Sequence, residues 1–221
     1  MSVNDDLLNA IQSYLGSAMA TNLTTATAGS DLFELYTLIL VLRAAEAEGA
    51  TTDFRNVHGD ITTSLFFRAS PGYIWSTAHP YSHAVIEFAE KETLEAHLGV
   101  RVSGKSKVLH ELDVCVLPQS EGETCRQRQV PPRSSQVVIG AECKFYSTPL
   151  RLGLAREFLG LTSDVTAKDN YFVSNSSSGS VSKLLAKRGR KWDSGIVPGS
   201  STAVSRLQSQ FQTAFVNYKA Q

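Results

Sequence analysis

Apolar positions along this chain follow helical spacing at both ends and strand-like runs in between. Asp5 to about Ala20 reads as an opening helix, and "TNLTTATAGS" after it as a loop. "DLFELYTLILVLRAAEAEG" predicts the strongest helix of the protein. Ser30 precedes it as N-cap, Asp31 and Glu34 lie in its first turn, and Gly49 closes it. Its run from Leu35 to Leu42 is apolar almost all round, which predicts burial.

Residues 51–100 are less regular. "SLFFRAS" and "GYIWST" read as short strands on either side of a Pro71-Gly72 turn, and "SHAVIEFAEKETLEAHLGVRV" fits helix, strand, or one after the other. "VLHELDVCVL" reads as a strand stopped by Pro118, "QSEGETCRQRQVPPRSS" as a polar loop and "QVVIGAECKFY" as the next strand. A helix in "LRLGLAREFLGL", a strand in "NYFVSN" and a short basic helix in "VSKLLAKRGRK" follow. The last helix carries an apolar stripe through Val204, Leu207, Phe211 and Phe215. This order predicts an α/β domain with a mixed central sheet flanked by helices.

Length and composition fit that picture. The chain has 221 residues, 42% of them hydrophobic, enough for one domain. No apolar run reaches the length of a membrane span, and the first residues lack the basic-then-apolar pattern of a secretory signal, so a cytoplasmic protein is expected. The 3 cysteines form no C-x-x-C pair, which argues against a disulfide framework or a zinc site, and Cys115 and Cys143 should be buried free thiols. Net charge is zero, yet the first hundred residues hold 4 basic and 12 acidic side chains while residues 101–221 hold 17 and 9. Such a split suits either a polyanion-binding surface or two solvated faces.

The chemistry concentrates in two of the strands. Glu142 and Lys144 sit two apart in an apolar strand, so both point to one face, where buried charge needs compensation. Asp113 sits in the preceding strand. If the strands are neighbours, Asp113 and Glu142 converge, and two such carboxylates need a cation between them. Mg²⁺ accepts oxygen ligands of this kind, and Lys144 beside it would position a water or offset developing negative charge.

Asp113, the E-x-K of Glu142 and Lys144, and Glu34 on a preceding helix together resemble the PD-(D/E)xK nuclease superfamily, over roughly residues 30–175. The resemblance implies a restriction-endonuclease-like core and a Mg²⁺-dependent endonuclease, with Mn²⁺ able to substitute. Asp113 and Glu142 would hold the metal, Lys144 would assist the attacking water, and Glu34 would be a fourth acid. Leu112 stands where the family pattern has Pro, and residues 118–135 look like an insertion carrying Arg126, Arg128 and Arg133. The expected substrate is a nucleic acid, DNA in the first instance, cut with low intrinsic sequence specificity. A partner protein could supply specificity, and a homodimer is compatible with the fold. The alternative is an inert nucleic-acid-binding or assembly subunit that retains the fold.

Other signals are weaker. Residues 176–221 form a basic C-terminal extension, and Lys183, Lys187, Arg188, Arg190 and Lys191 there, with Arg156, are candidate phosphate contacts. Ser180 stands at the start of the basic helix, and Ser106, Lys107 and Glu111 are candidates for flanking the cleft. His110-Glu111 is half of an H-E-x-x-H motif, but Val114 replaces its second histidine. His58, His79, His83 and His97 show no ligand spacing and read as structural.

Overall fold

The computed structural model describes residues 2–16, 23–24, 26–78 and 81–221. Its elements run α1 (Val3–Leu15), α2 (Gly29–Ala47), β1 (Thr51–Asn56), β2 (Ser82–Glu87), β3 (Leu94–Ser103) and β4 (Leu109–Pro118). They continue with α3 (Gln119–Arg128), β5 (Ile139–Lys144), α4 (Leu152–Asp164), β6 (Asp169–Ser174), α5 (Gly179–Lys187), β7 (Lys191–Asp193) and α6 (Ser201–Lys219). The seven strands form one sheet in chain order. β1 to β5 are antiparallel neighbours, β6 joins parallel to β5, and β7 joins parallel to β6. Parallel partners need crossover connections, which α4 and α5 supply.

The largest core cluster joins α1, α2 and α6 to one sheet face, through Leu38, Ile39, Val114, Ala141, Val173 and Phe211 among others. This explains the nearly continuous apolar run of α2: the helix meets the sheet on one side and two helices on the other. The opposite face is covered by two smaller clusters. One packs Leu112, Cys115 and Leu117 with Cys125 of α3, and the other packs Phe172 with Phe158 of α4 and Leu185 of α5. All three cysteines are free and buried.

Two residues let the chain change face at mid-sheet. Leu98 and Val114 belong to the α2-side core, whereas Val100 and Leu112 belong to the α3-side core. The switch on β3 falls at Gly99, whose φ of +55° favours glycine, and a Cβ there would lie 3.3 Å from the Ser70 carbonyl oxygen. The switch on β4 falls at Asp113. At the start of α2, a Cβ on Gly29 would fall 2.5 Å from the Phe145 ring, so glycine sets how closely the helix meets the end of β5.

Several expectations need correction. The opening helix ends at Leu15 rather than near Ala20, and its expected last residues lie outside the described segments. α2 begins at Gly29, so Ser30 lies inside it and Ala28 takes the N-cap position without a side-chain cap. "SLFFRAS" and "GYIWST" are loop: Leu65, Phe67 and Ile74 drop into the cores, while Gly72 makes only an isolated bridge to Val100. The ambiguous stretch after Tyr81 is two strands. The supposed polar loop after Pro118 contains α3, and two of its arginines are committed to ion pairs, Arg126 to Glu95 and Arg133 to Glu121. The basic helix stops at Lys187, and Lys191 instead opens β7 and pairs with Asp169 at 2.5 Å. Residues 176–221 thus contribute β7, α5 and α6 to the same sheet and its helical layers. Among the described residues no helix is long and apolar enough to cross a membrane.

Candidate active site

β4 and β5 pair only through Val114–Val116 and Ile139–Ala141. Extended by one step, that register sets Asp113 opposite Glu142. There the ladder gives way to a side chain: the backbone N–H of Cys143 donates to Asp113 Oδ2 at 2.6 Å. Cys143 itself turns into the α2-side core. Glu142 and Lys144 take the opposite face, as strand alternation requires. Lys144 Nζ donates to Glu142 Oε1 at 2.5 Å, with both side chains 21% exposed.

Beyond this point lies a cavity of about 300 Å³, lined by Glu111, Asp113, Glu142, Lys144, Glu157, Phe158 and Leu161. The structure therefore brings Asp113, Glu142 and Lys144 to one cavity and adds Glu111 from β4. Glu157 of α4 is a further wall residue that the sequence reading passed over. Its signal was the spacing Glu157–Leu161, four apart on one helix face next to the buried Phe158. Neighbouring Arg156 is exposed.

Four carboxylates against one ammonium leave the site short of positive charge. Burial, reinforced by the charge on Glu142, pushes the Asp113 carboxyl up to about 7. Glu111 is also raised, by burial and then by Glu142. Lys144 is held in its charged form: burial opposes it, but Glu142 and Asp113 prevail and raise its pKa. Glu34 is not among the wall residues, yet its charge is coupled to the site. Burial, then the charges of Asp113, Asp31 and Glu111, raise it to about 8, with Lys144 acting the other way.

The remaining candidates lie apart from the cavity. Lys183, Lys187, Arg188 and Arg190 are exposed. α5 leaves the end of β6 beside Lys144 and runs back, so Lys187, Arg188 and Arg190 stand toward the other end of the sheet. Ser180 is exposed at the start of α5. Ser106 is taken by Asp164, to which its backbone N–H donates at 2.8 Å, while Lys107 is exposed at the β3–β4 turn. His58 is exposed and His79 lies outside the described residues.

His83 and His97 are buried in a separate polar cluster on β2 and β3. Their rings stack at 4.7 Å, and His97 Nε2 bonds Glu95 Oε2 at 2.9 Å. Arg126 of α3 grips Glu95 with two hydrogen bonds at 2.9 and 2.5 Å. Gly122 leaves room for this grip, since a Cβ there would fall 2.3 Å from Glu95 Oε2. Burial drives both histidines toward the neutral form, His83 to about 3. Burial opposes ionisation of Glu95 too, but its bonds from Arg126 and His97 hold it below the usual carboxylate range. The cluster pins α3 to the sheet.

Among the described residues no group of three or more His, Cys, Asp and Glu side chains is arranged to hold a metal ion. The donor set at the cavity is of a sparser kind: carboxylate oxygens with room for water, the arrangement that suits Mg²⁺, which keeps several waters and binds one or two carboxylates. No protein-family model, curated protein or solved structure matches this chain.

Proposed function

We propose that the chain is a Mg²⁺-dependent nuclease of the restriction-endonuclease-like kind, hydrolysing phosphodiester bonds of DNA. One observation carries this reading: Asp113 and Glu142, on neighbouring strands, share a cavity of about 300 Å³ with Lys144 where the β4–β5 ladder ends. Asp113 and Glu142 would hold the ion. When bound, it would polarise a phosphate oxygen and lower the pKa of a water. Mn²⁺, with similar coordination, would substitute.

Lys144 supplies the fixed charge of the site. Its ammonium, tethered to Glu142, can hold a water for attack or offset charge developing on the phosphate. The Cys143 N–H keeps Asp113 Oδ2 pointed, leaving its other oxygen for a ligand. Glu34 stands behind the wall as a mainly protonated acid near neutral pH, and a cation at the site would favour its ionisation. Phe158 and Leu161 make the apolar side of the cavity.

Purified protein should nick supercoiled plasmid in Mg²⁺ or Mn²⁺. In Ca²⁺ it should bind DNA without cutting, because a larger, more loosely coordinated ion places the attacking water poorly. Lys144→Ala should lose cleavage by at least about a hundredfold while keeping most of the binding. Cleavage by Asp113→Ala at the wild-type rate would refute the site. The close Glu142–Lys144 pair also suits an inert nucleic-acid-binding or assembly subunit. Binding in Mg²⁺ with no cleavage by any of these proteins would favour that reading.

A further inference from the structure

We infer that the β3–β4 turn is a rigid finger that grips the same DNA beside the cavity. This inference rests on the nuclease reading above. Residues 104–108 are held to the end of α4 by one residue, Asp164. The Asp164 carboxylate accepts from the backbone N–H of Ser106 at 2.8 Å, from the Ser106 hydroxyl and from His110 Nε2 at 2.7 Å. The Asp164 carbonyl oxygen accepts from the N–H of Lys105 at 3.1 Å. Gly104 is needed for this closure, because a Cβ there would lie 2.2 Å from Asp164 Oδ2. The turn is closed on itself by Lys107 N–H to the Gly104 carbonyl oxygen and Gly104 N–H to that of Val108, with Lys107 at a φ of 70°.

Such firm anchoring contrasts with what the turn displays. Lys105 and Lys107 are exposed and have no side-chain partner among the described residues. Val108 is 56% exposed and Leu109 is 39% exposed. Two ammonium groups and two aliphatic side chains are thus presented to solvent on a braced support, which favours a partner that is both anionic and partly apolar.

The position of the finger selects that partner. Asp164 follows the wall residue Leu161 by one helical turn, and Val108 precedes the wall residue Glu111 by three residues, roughly 10 Å along the strand. The cavity is lined by four acids and one lysine, so a polyanion laid across it must draw its attraction from beside the site. Lys105 and Lys107 are placed to meet phosphates a few nucleotides from the one in the cavity. Val108 and Leu109 then lie against the sugar faces of the groove, where apolar contact carries no charge penalty.

The test measures binding of a fluorescent DNA duplex in Ca²⁺ over a series of salt concentrations, alongside plasmid nicking in Mg²⁺. The double variant Lys105→Ala/Lys107→Ala should bind roughly tenfold more weakly at low salt. Its slope of log affinity against log salt should be shallower by about 1.8, the value for two lost phosphate contacts. Asp164→Asn should weaken binding less and should speed amide exchange at Ser106, separating loss of bracing from loss of charge. Equal affinity and an equal slope for the double variant and a wild type that binds and nicks would overturn the finger and leave the nuclease reading intact. A wild type that neither binds the duplex nor nicks plasmid would end the nuclease reading, and this inference with it.

Discussion

Replacing Asp113 by asparagine should stabilise the protein in metal-free buffer. The Asp113 side chain is only 8% exposed, and burial with the Glu142 charge raises its pKa from 3.8 to about 7. The folded state therefore keeps this proton to higher pH than the unfolded chain does. Ionising it costs stability as pH rises from about 4 to about 7, and the loss is complete above that. At about 1.36 kcal/mol per pKa unit the full loss is roughly 4 kcal/mol. Water entering the adjoining cavity relaxes the charged form, so about half, roughly 2 kcal/mol, is the expected gain. Asparagine keeps an oxygen for the Cys143 N–H, so the backbone contact survives. For a chain of this length the gain corresponds to a melting temperature roughly 4–8 °C higher. Thermal unfolding at pH 8 in EDTA would show it, and the difference should vanish near pH 4. Saturating Mg²⁺ should reverse the order, since an ion at a hundredfold excess over its Kd adds about 2.7 kcal/mol to the wild type alone. An Asp113→Asn variant that melts at or below the wild type at pH 8 without metal would refute the reasoning.

The buried histidines should make the protein acid-sensitive in the opposite sense. His83 is depressed to about 3, by burial and then by His97, so the unfolded chain takes up the proton first and stability falls as pH drops from about 6.5 toward 3. Measured by urea midpoint with and without His83→Phe, so that the raised acids Glu34, Glu111 and Asp113 contribute alike to both proteins, the variant should gain on the wild type as pH drops from about 6.5; a difference that does not change with pH would exclude the histidine as a source. Arg126→Ala should cost about 3–5 kcal/mol, because it strands Glu95, which is fully buried. Urea denaturation of the double-mutant cycle with Glu95→Gln tests this, and a coupling below about 1 kcal/mol would show that the ion pair does not pin α3.

The sequence revealed elements whose apolar residues face a core and concealed those held by distant partners. α2, β4, β5, β6, α4 and α6 were all legible because burial shaped their patterns. β1 was missed because only Phe54 of its six residues is buried. β7 is three residues long and exists only because β6 offers it an edge. α3 looked like loop because its buried residues are Glu121, Gly122 and Cys125, and its anchor is an ion pair to a residue 31 positions earlier. Conversely, the apolar runs around Phe66 and Trp75 suggested strands, yet their side chains anchor a loop over β3. Asp113, Glu142 and Lys144 stood out as charges in apolar strands. Glu157 did not, because an exposed acid on an amphipathic helix is ordinary until the fold brings a strand end beside it.

The location of the cavity follows from how β4 and β5 meet. Their pairing stops after Val114 and Ala141, although both strands continue, to Leu109 on one side and Lys144 on the other. A continued ladder would bond the backbone of residue 113 to its neighbour and leave no opening. The carboxylate of Asp113 takes the Cys143 N–H instead, so a side chain does the work of a ladder bond and the strands can part. Asp113 thus has two tasks: it satisfies the last backbone donor of the junction, and it sets a charge at the mouth of the gap it helps to make. Removing the side chain altogether should then cost more than removing its charge. Asp113→Ala would leave the buried Cys143 N–H unpaired, a loss of about 1–3 kcal/mol relative to Asp113→Asn. Comparing the two by urea midpoint at pH 8 separates the tasks. Equal stability of the alanine and asparagine variants would mean that the junction does not depend on that hydrogen bond.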